Sequence, residues 1–89
     1  MREPYLEVTF RRGKAFAAYY YLPRRLGQKS YKSVVAGPGL VVDLGRSGRP
    51  IGIEITTPSL VSEASLNRVL RHFGLPLAKP GDLVPLRAA

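Results

Sequence analysis

A hairpin pattern in the middle of the chain constrains the fold more than any other feature of the sequence. Aliphatic residues recur at every second position of Leu40–Leu44 and of Ile51–Thr56, and the turn-forming segment Gly45–Pro50 separates the two runs. This period sends successive side chains to opposite faces of a strand, so it predicts a β-hairpin with one aliphatic face. A slip of one residue would turn the isoleucines toward water, which specifies the register. The predicted pairs are Leu44 with Ile51, Val42 with Ile53, and Leu40 with Ile55.

Two strands, and a weaker third, are predicted before this hairpin. Alternating Leu, Val and Phe in Tyr5–Phe10 indicate a first strand, and the polar, Gly-containing segment Arg11–Lys14 indicates a short turn after it. The next strand, Ala15–Leu22, is apolar or aromatic on both faces, which is typical of a central strand. A weaker strand is expected at Ser30–Ala36, where two polar residues interrupt the apolar pattern.

The strands are followed by a helix with clear start and stop signals. Ser62 can cap the helix N-terminus with its side chain, and Glu63 in the first turn favours the helix dipole. Gly74 is the expected end, because glycine readily takes the left-handed conformation that follows a helix. The apolar stripe of the helix consists of Leu66, Val69, Leu70 and Phe73.

Beyond the helix, residues 75–89 contain three prolines and no periodicity. They are predicted to be an extended tail that is ordered only if its apolar residues, Leu77, Leu83, Val84 and Leu86, dock on the rest of the protein. The whole pattern predicts an α+β fold, an antiparallel meander of four or five strands with one C-terminal amphipathic helix on one face. On this prediction residues 1–74 form a single α+β domain and residues 75–89 a Pro-containing C-terminal extension.

Composition excludes several classes of protein. The chain has 89 residues, no Cys and a single His. The absence of Cys excludes a disulfide framework, a thiol nucleophile and a Cys-based metal site. Apolar runs never approach the roughly 20 residues of a membrane-spanning helix. Since no apolar signal-peptide core follows residues 1–4 either, we expect a cytoplasmic protein without membrane association.

The residues that could support catalysis are few and are not arranged for it. His72 falls near the predicted helix end, where it fits a helix-end cation or a packing residue. Asp43 and Glu54 share the outer face of the predicted hairpin, where solvation or pairing with arginine is the simpler role. The segment Gly45–Arg49 joins two strands, whereas phosphate loops join a strand to a helix N-terminus. The sequence therefore predicts a protein that is not an enzyme and has no metal or cofactor site.

Three segments in the first two thirds of the chain form a recognisable set. They are Ala18-Tyr19-Tyr20, then Gly39–Leu44, in which aliphatic residues precede an Asp, and Gly52-Ile53-Glu54 after the hairpin turn. Together they resemble the small bacterial family known as domain of unknown function 2283, over roughly residues 8–57. The resemblance implies a small cytoplasmic bacterial protein, and some members look like the antitoxin side of two-gene modules. The family has no established catalytic residues to carry over.

The chain departs from this family in its charge. The family usually carries acidic residues at its first turn and at its hairpin tip, whereas this chain carries bases there and has a formal net charge of +8. A basic surface attracts polyanions and gives salt-sensitive, non-specific binding. The bases at those two places are Arg11, Arg12, Lys14, Arg46 and Arg49.

The favoured hypothesis for function is a protein-interaction module that forms a homo-oligomer or binds a small protein partner. A single helix leaves one sheet face open, and the residues predicted to make that face an interface are Ala17, Tyr19, Tyr21 and Val41. The alternative is a nucleic-acid-binding protein in which Tyr19, Tyr21 and Tyr31 stack on bases. The predicted anion or nucleic-acid contacts are Arg11, Arg12, Lys14, Arg24, Arg25, Lys29, Lys32, Arg46 and Arg49.

Overall fold

The computed structural model describes residues 3–23 and 28–87 of the chain. The strands are β1 (Tyr5–Arg11), β2 (Lys14–Tyr21), β3 (Lys32–Gly37), β4 (Leu40–Leu44) and β5 (Pro50–Ile55), and the helix is α1 (Glu63–His72). Short 3₁₀ turns at Pro58–Leu60 and Val84–Arg87 precede and follow the helix. The predicted α+β class, with an antiparallel sheet and one helix after it, is confirmed.

The strands do not cross the sheet in chain order. All neighbouring strands are antiparallel, and their order is β1-β2-β5-β4-β3. Strand β5 therefore joins the β1–β2 hairpin to a meander of β3, β4 and β5. The order agrees with burial, because β2 and β5 have buried apolar side chains and lie inside the sheet, whereas the mostly exposed β3 lies at an edge.

The register of the β4–β5 hairpin agrees with most of the prediction. The predicted pairs Leu40 with Ile55 and Val42 with Ile53 are present. The third pair is wrong, since Leu44 lies opposite Pro50 rather than Ile51. The register shifts between Asp43 and Leu44, so β5 has one extra residue, Ile51, relative to β4, as in a β-bulge. Ile51 is buried in spite of the shift.

The helix begins and ends where the sequence predicts. Ser62 Oγ accepts a hydrogen bond from the Ser65 backbone N–H at 3.0 Å, and Ser65 Oγ accepts one from the Ser62 N–H at 2.9 Å, which completes a capping box. Gly74 follows the C-cap residue Phe73 and has a φ of +67°. The helix packs on the inner face of the sheet. The core between them contains Ala18, Tyr20, Leu22, Leu40, Val42, Ile53, Ile55, Val61, Leu66, Val69 and Leu70.

The segment after the helix docks on this same core. The sequence predicted order for this segment only if its apolar residues docked in this way. Leu83 and Leu86 are buried, whereas Leu77 and Val84 remain exposed. Leu83 and Leu86 belong to the same apolar cluster as the inner face of the sheet. Two of the four predicted docking residues therefore attach the tail to the core.

Polar contacts also hold the tail. The Ala78 N–H donates to Asn67 Oδ1 at 2.7 Å, and Asn67 Nδ2 donates to the Ala78 carbonyl at 3.4 Å. Near the other end of the tail, the Arg87 guanidinium donates to the backbone carbonyls of Pro58 and Val61. The tail is thus attached both to α1 and to the segment that precedes α1. The backbone groups at these contacts are paired by hydrogen bonds.

We expect Leu86→Ala to destabilise the protein by about 2–4 kcal/mol, because truncation of a buried leucine loses apolar burial and leaves a cavity. The matched control is Val84→Ala, at a neighbouring residue that is 64 % exposed. This control should change the free energy of unfolding by less than about 0.5 kcal/mol. Urea denaturation measures both variants, and equal effects would show that the tail does not belong to the core in solution.

Tyr20 makes the free energy of unfolding depend on pH in alkaline solution. Its side chain is buried in the core, and this burial, together with the nearby negative charge of Asp82, raises the pKa of its phenol above the usual value of 10.0. As the pH rises, the phenol therefore loses its proton at a lower pH in the unfolded chain than in the folded protein. Its contribution to stability is complete below pH 10.0 and is lost as the pH rises from there through the raised pKa.

Tyr20→Phe should therefore reduce the loss of stability in alkaline solution. Urea denaturation at about pH 9 and about pH 11 gives the change in unfolding free energy for both proteins. The wild-type protein should lose more stability over this interval than the variant. An identical loss would mean that Tyr20 does not titrate differently in the folded and unfolded states.

Candidate functional site

The face of the sheet opposite the helix, here called the outer face, carries two rows of residues that cross all five strands. The strand register sets both rows. One row consists of Tyr5, Tyr21, Gly52, Asp43 and Ser33. The next row consists of Glu7, Tyr19, Glu54, Val41 and Val35. Residues far apart in the sequence thus become cross-strand neighbours, which is the arrangement through which side chains on a sheet interact.

The outer face brings together the residues predicted to form an interface. Tyr19, Tyr21 and Val41 lie in the two rows, and Ala17 lies two positions before Tyr19 on the same side of β2. Each of these four side chains is half-buried. The four residues do share one face, and their role in binding a partner stays a prediction.

A hydrogen-bond network at the centre of the outer face connects β2, β3 and β4. The Tyr19 hydroxyl donates to Asp43 Oδ2 at 2.7 Å, and Ser33 Oγ donates to Asp43 Oδ1 at 2.6 Å. Asp43 is only 9 % exposed, so these two charge-assisted hydrogen bonds offset the cost of removing its carboxylate from water. Because both carboxylate oxygens are bonded within the protein, Asp43 links β2 and β3 to β4.

The network requires the absence of a side chain at Gly52. Tyr19 is on β2 and Asp43 is on β4, so the Tyr19 ring must cross β5, which lies between them. It does so directly over Gly52, where a Cβ atom would overlap both the ring and the hydroxyl of Tyr19. Sequence reasoning did not assign Gly52 a role, although a glycine inside a strand is a known signal of close approach by another group.

A tyrosine cluster occupies the β1 side of the outer face. The rings of Tyr5 and Tyr21 stack with centroids 4.6 Å apart, and Tyr19 meets Tyr21 edge-on at 4.6 Å. The Tyr21 hydroxyl donates to Glu7 Oε1 at 3.2 Å. The tyrosines therefore pack on one another and direct hydroxyls toward carboxylates of the same face.

Carboxylates concentrate on the outer face although the chain is basic. Glu7, Asp43 and Glu54 lie there, and the whole sequence contains six acidic residues. A nucleic acid stacked on Tyr19 and Tyr21 would bring its phosphates close to these carboxylates, which repel them. The outer face therefore does not favour the nucleic-acid alternative.

The predicted anion contacts divide between opposite ends of the sheet. The β1–β2 and β4–β5 turns lie at opposite ends, because Tyr21 at the end of β2 pairs with Gly52 near the start of β5. Strands of this length place the two ends about 20 Å apart. Arg11, Arg12 and Lys14 lie at one end, Lys32, Arg46 and Arg49 lie at the other, and Lys29 lies in the connection before β3. Arg24 and Arg25 lie outside the described residues.

In each of these two groups an arginine lies over an aromatic ring. The Arg11 guanidinium is 4.4 Å from the centroid of Phe16, and the Arg46 guanidinium is 4.9 Å from the centroid of Tyr31. Such cation–π contacts are modest in energy at exposed positions. Arg46 occupies one side of the Tyr31 ring, and Tyr31 was the third residue of the predicted stacking platform.

Sequence reasoning missed a second surface, at the open edge of β3. In the described part of the chain, β3 pairs with β4 alone. Val34 and Val35 lie on this edge and are 42 % and 76 % exposed. Edge strands are usually protected by charges, bulges or a covering segment. β3 has Lys32 and a register shift between Val35 and Gly37, yet its two adjacent valines remain exposed. A Val-Val pair within a short, otherwise small or polar strand is the sequence signal that could have indicated this surface.

An apolar groove runs beside this edge, between β3 and the second half of α1, and is here called the β3 groove. Its volume is about 450 Å³. Arg68 and His72 line its helix side. Its apolar lining consists of Val34, Val35, Ala36, Val42, Leu44, Val69 and Phe73. A sheet edge beside an apolar groove is a geometry that can receive an extended chain.

The described residues do not form a recognisable catalytic or metal site. Within residues 3–23 and 28–87, no three His, Asp or Glu side chains come together to hold a metal ion. The His72 ring packs edge-on against Phe73, with centroids 5.0 Å apart. The two surfaces that remain are the outer face and the β3 groove.

No family model matches this chain, and no curated protein or solved structure matches it either. The resemblance based on Ala18-Tyr19-Tyr20 and the two hairpin segments therefore stays a prediction. In the part of the chain that the structure describes, no helix has the length and apolarity needed to cross a membrane.

We expect Gly52→Ala to destabilise the protein by about 2–4 kcal/mol, because the new Cβ displaces the Tyr19 ring and breaks its hydrogen bond to Asp43. Gly37→Ala is the matched control in a strand, since a Cβ there meets its nearest neighbour, Leu40 Cδ1, at 3.9 Å. Urea denaturation gives the two changes in unfolding free energy.

A double-mutant cycle tests the cause. In a Tyr19→Ala background, Gly52→Ala should cost less than about 1 kcal/mol, because the overlapping ring is gone. If Gly52→Ala costs as much in this background as in the wild-type protein, the close approach of Tyr19 is not the reason for the glycine.

Proposed function

We propose that this protein is a non-enzymatic interaction module that binds an extended segment of a partner protein, added as a strand to the open edge of β3. One observation supports the proposal most strongly. The β3 edge, with its exposed Val34 and Val35, lies beside an apolar groove of about 450 Å³. Strand addition combines main-chain hydrogen bonds with contacts to alternate side chains.

The backbone of β3 supplies the first part of the interaction. This strand has six residues, and alternate residues of a strand direct their N–H and C=O groups to the same side. Over residues 32–35, before the register shift that precedes Gly37, alternate residues therefore direct these groups away from β4, where an added strand can pair with them. These hydrogen bonds do not depend on the partner's side chains, so they contribute affinity more than selectivity.

The β3 groove supplies the second part. In a strand added beside β3, every second side chain faces the inner side of the sheet, where the groove lies. Val42, Val69 and Phe73 present apolar surface there. Burial of two aliphatic side chains contributes about 1.5–3 kcal/mol each. This free energy is comparable with the lower estimates of the cost of losing translational and rotational freedom on association. The groove therefore favours a partner with aliphatic residues at alternate positions.

The outer face is the weaker candidate for the same function. The hydroxyls of Tyr19 and Tyr21 donate to Asp43 and Glu7 within the protein. Antiparallel sheets commonly leave one face in water, so an uncovered outer face needs no partner. We therefore assign the interaction to the β3 edge rather than to the face that contains Ala17, Tyr19, Tyr21 and Val41.

Peptide display tests this function. A displayed library of random peptides of about nine residues, selected on the purified protein, should yield extended binders. Their affinity should fall by about tenfold or more on Val34→Asn, because a polar side chain there replaces an apolar groove contact. Val84→Asn makes the same change at an exposed valine of the tail and should leave the affinity unchanged. Fluorescence anisotropy measures all three affinities.

The proposal fails if the selection yields no binder, or if the selected peptides bind Val34→Asn as tightly as the wild-type protein. Circular dichroism verifies the fold of each variant, which should persist because both valines are exposed. Val35→Asn, at a residue that is 76 % exposed, provides a second change on the same edge. It should also weaken the selected peptides, because an added strand would place its remaining side chains beside Val35 on the outer face.

A further inference from the structure

We infer that the partner segment is acidic, with aliphatic side chains toward the β3 groove and a carboxylate toward Arg68 on its helix side. This inference rests on the proposed strand addition and adds the chemistry of the partner. Arg68 and His72 line the groove from α1. They are four positions apart, so they lie on the same side of the helix, and both are exposed.

Among the described residues, no acidic side chain lines the groove to neutralise Arg68. β3 contributes Lys32 and no acid. Glu63 lies in the first turn of α1, away from the half of the helix that lines the groove. Asp43 of β4 is bonded to two hydroxyls on the outer face. The positive charge at the groove is therefore available to a ligand.

Charge also argues against a second copy of this chain as the occupant. Each copy has a formal net charge of +8, so two copies repel one another. Pairing of two β3 edges would bring two such basic copies into contact. Like charges brought together across an interface suppress association. An acidic segment has the opposite effect, because it lowers the net charge of the complex.

A carboxylate fits the chemistry of Arg68 in particular. The planar guanidinium can donate two parallel hydrogen bonds to one carboxylate, a geometry that an uncharged amide does not reproduce. The pair would form at the edge of an apolar groove, where attraction between charges is stronger than in open water. Binding should therefore depend on the partner's charge and weaken as the salt concentration rises.

The peptide selection tests this inference directly. Selected peptides should be enriched in Asp and Glu over the unselected library and should carry aliphatic residues at alternate positions. Replacement of each Glu by Gln in a selected peptide, or of each Asp by Asn, should weaken binding by about tenfold or more. Arg68→Glu should weaken the original peptide by a similar factor. Lys14→Glu makes the same charge reversal at the β1–β2 turn and should leave the affinity within about twofold.

The outcomes separate this inference from the proposed function. Peptides that lose affinity on Val34→Asn but are neutral or basic would overturn the acidic partner and leave strand addition in place. Peptides that bind Val34→Asn at full strength would overturn strand addition, and the inference with it. A dimer in sedimentation equilibrium that Val34→Asn dissociates would assign the edge to a second copy and would overturn the acidic segment.

Discussion

The antiparallel pairing of β2 with β5 is the contact on which the rest of the structure depends. It joins the β1–β2 hairpin to the meander of β3, β4 and β5. Across it, Tyr20 lies opposite Ile53 in the core, and Tyr19 lies opposite Glu54 on the outer face. An isolated two-stranded hairpin is marginally stable in water at best. Once β2 and β5 are paired, one helix and the docked tail can cover a single continuous apolar face.

This pairing also gives the two remaining surfaces different properties. Because β5 lies between β2 and β4, Tyr19 reaches Asp43 only by crossing Gly52, and the outer face acquires an internal network of hydrogen bonds. β4 lies between β5 and β3, and β3 is the last strand in this order, so it lies at the edge of the sheet with its valines exposed. On the outer face, Tyr19, Tyr21 and Asp43 are hydrogen-bonded within the protein. In the described part of the chain, β3 pairs on one side only and lies beside an apolar groove.

Local sequence patterns predicted the elements well because each depends on residues close together in the chain. The cap at Ser62 and the stop at Gly74 need only one turn of helix, and two of the three hairpin pairs follow from the period of a strand. The third pair, at Leu44, was wrong because a register shift has no signature in the alternation. The tail could be predicted only conditionally, since its docking depends on a core formed by distant residues such as Leu86.

By itself, the sequence determined which segments become strands or helix and which side of each is apolar, because periods of two and of 3.6 residues are local properties. Only the tertiary structure decided the order of the strands, because the pairing of β2 with the distant β5 depends on how much apolar surface of the whole sheet becomes buried. That order placed the bases of the β1–β2 and β4–β5 turns at opposite ends of the sheet and placed Tyr19 above Gly52. It also left β3 beside α1 with an open groove, which no pattern within either element specifies.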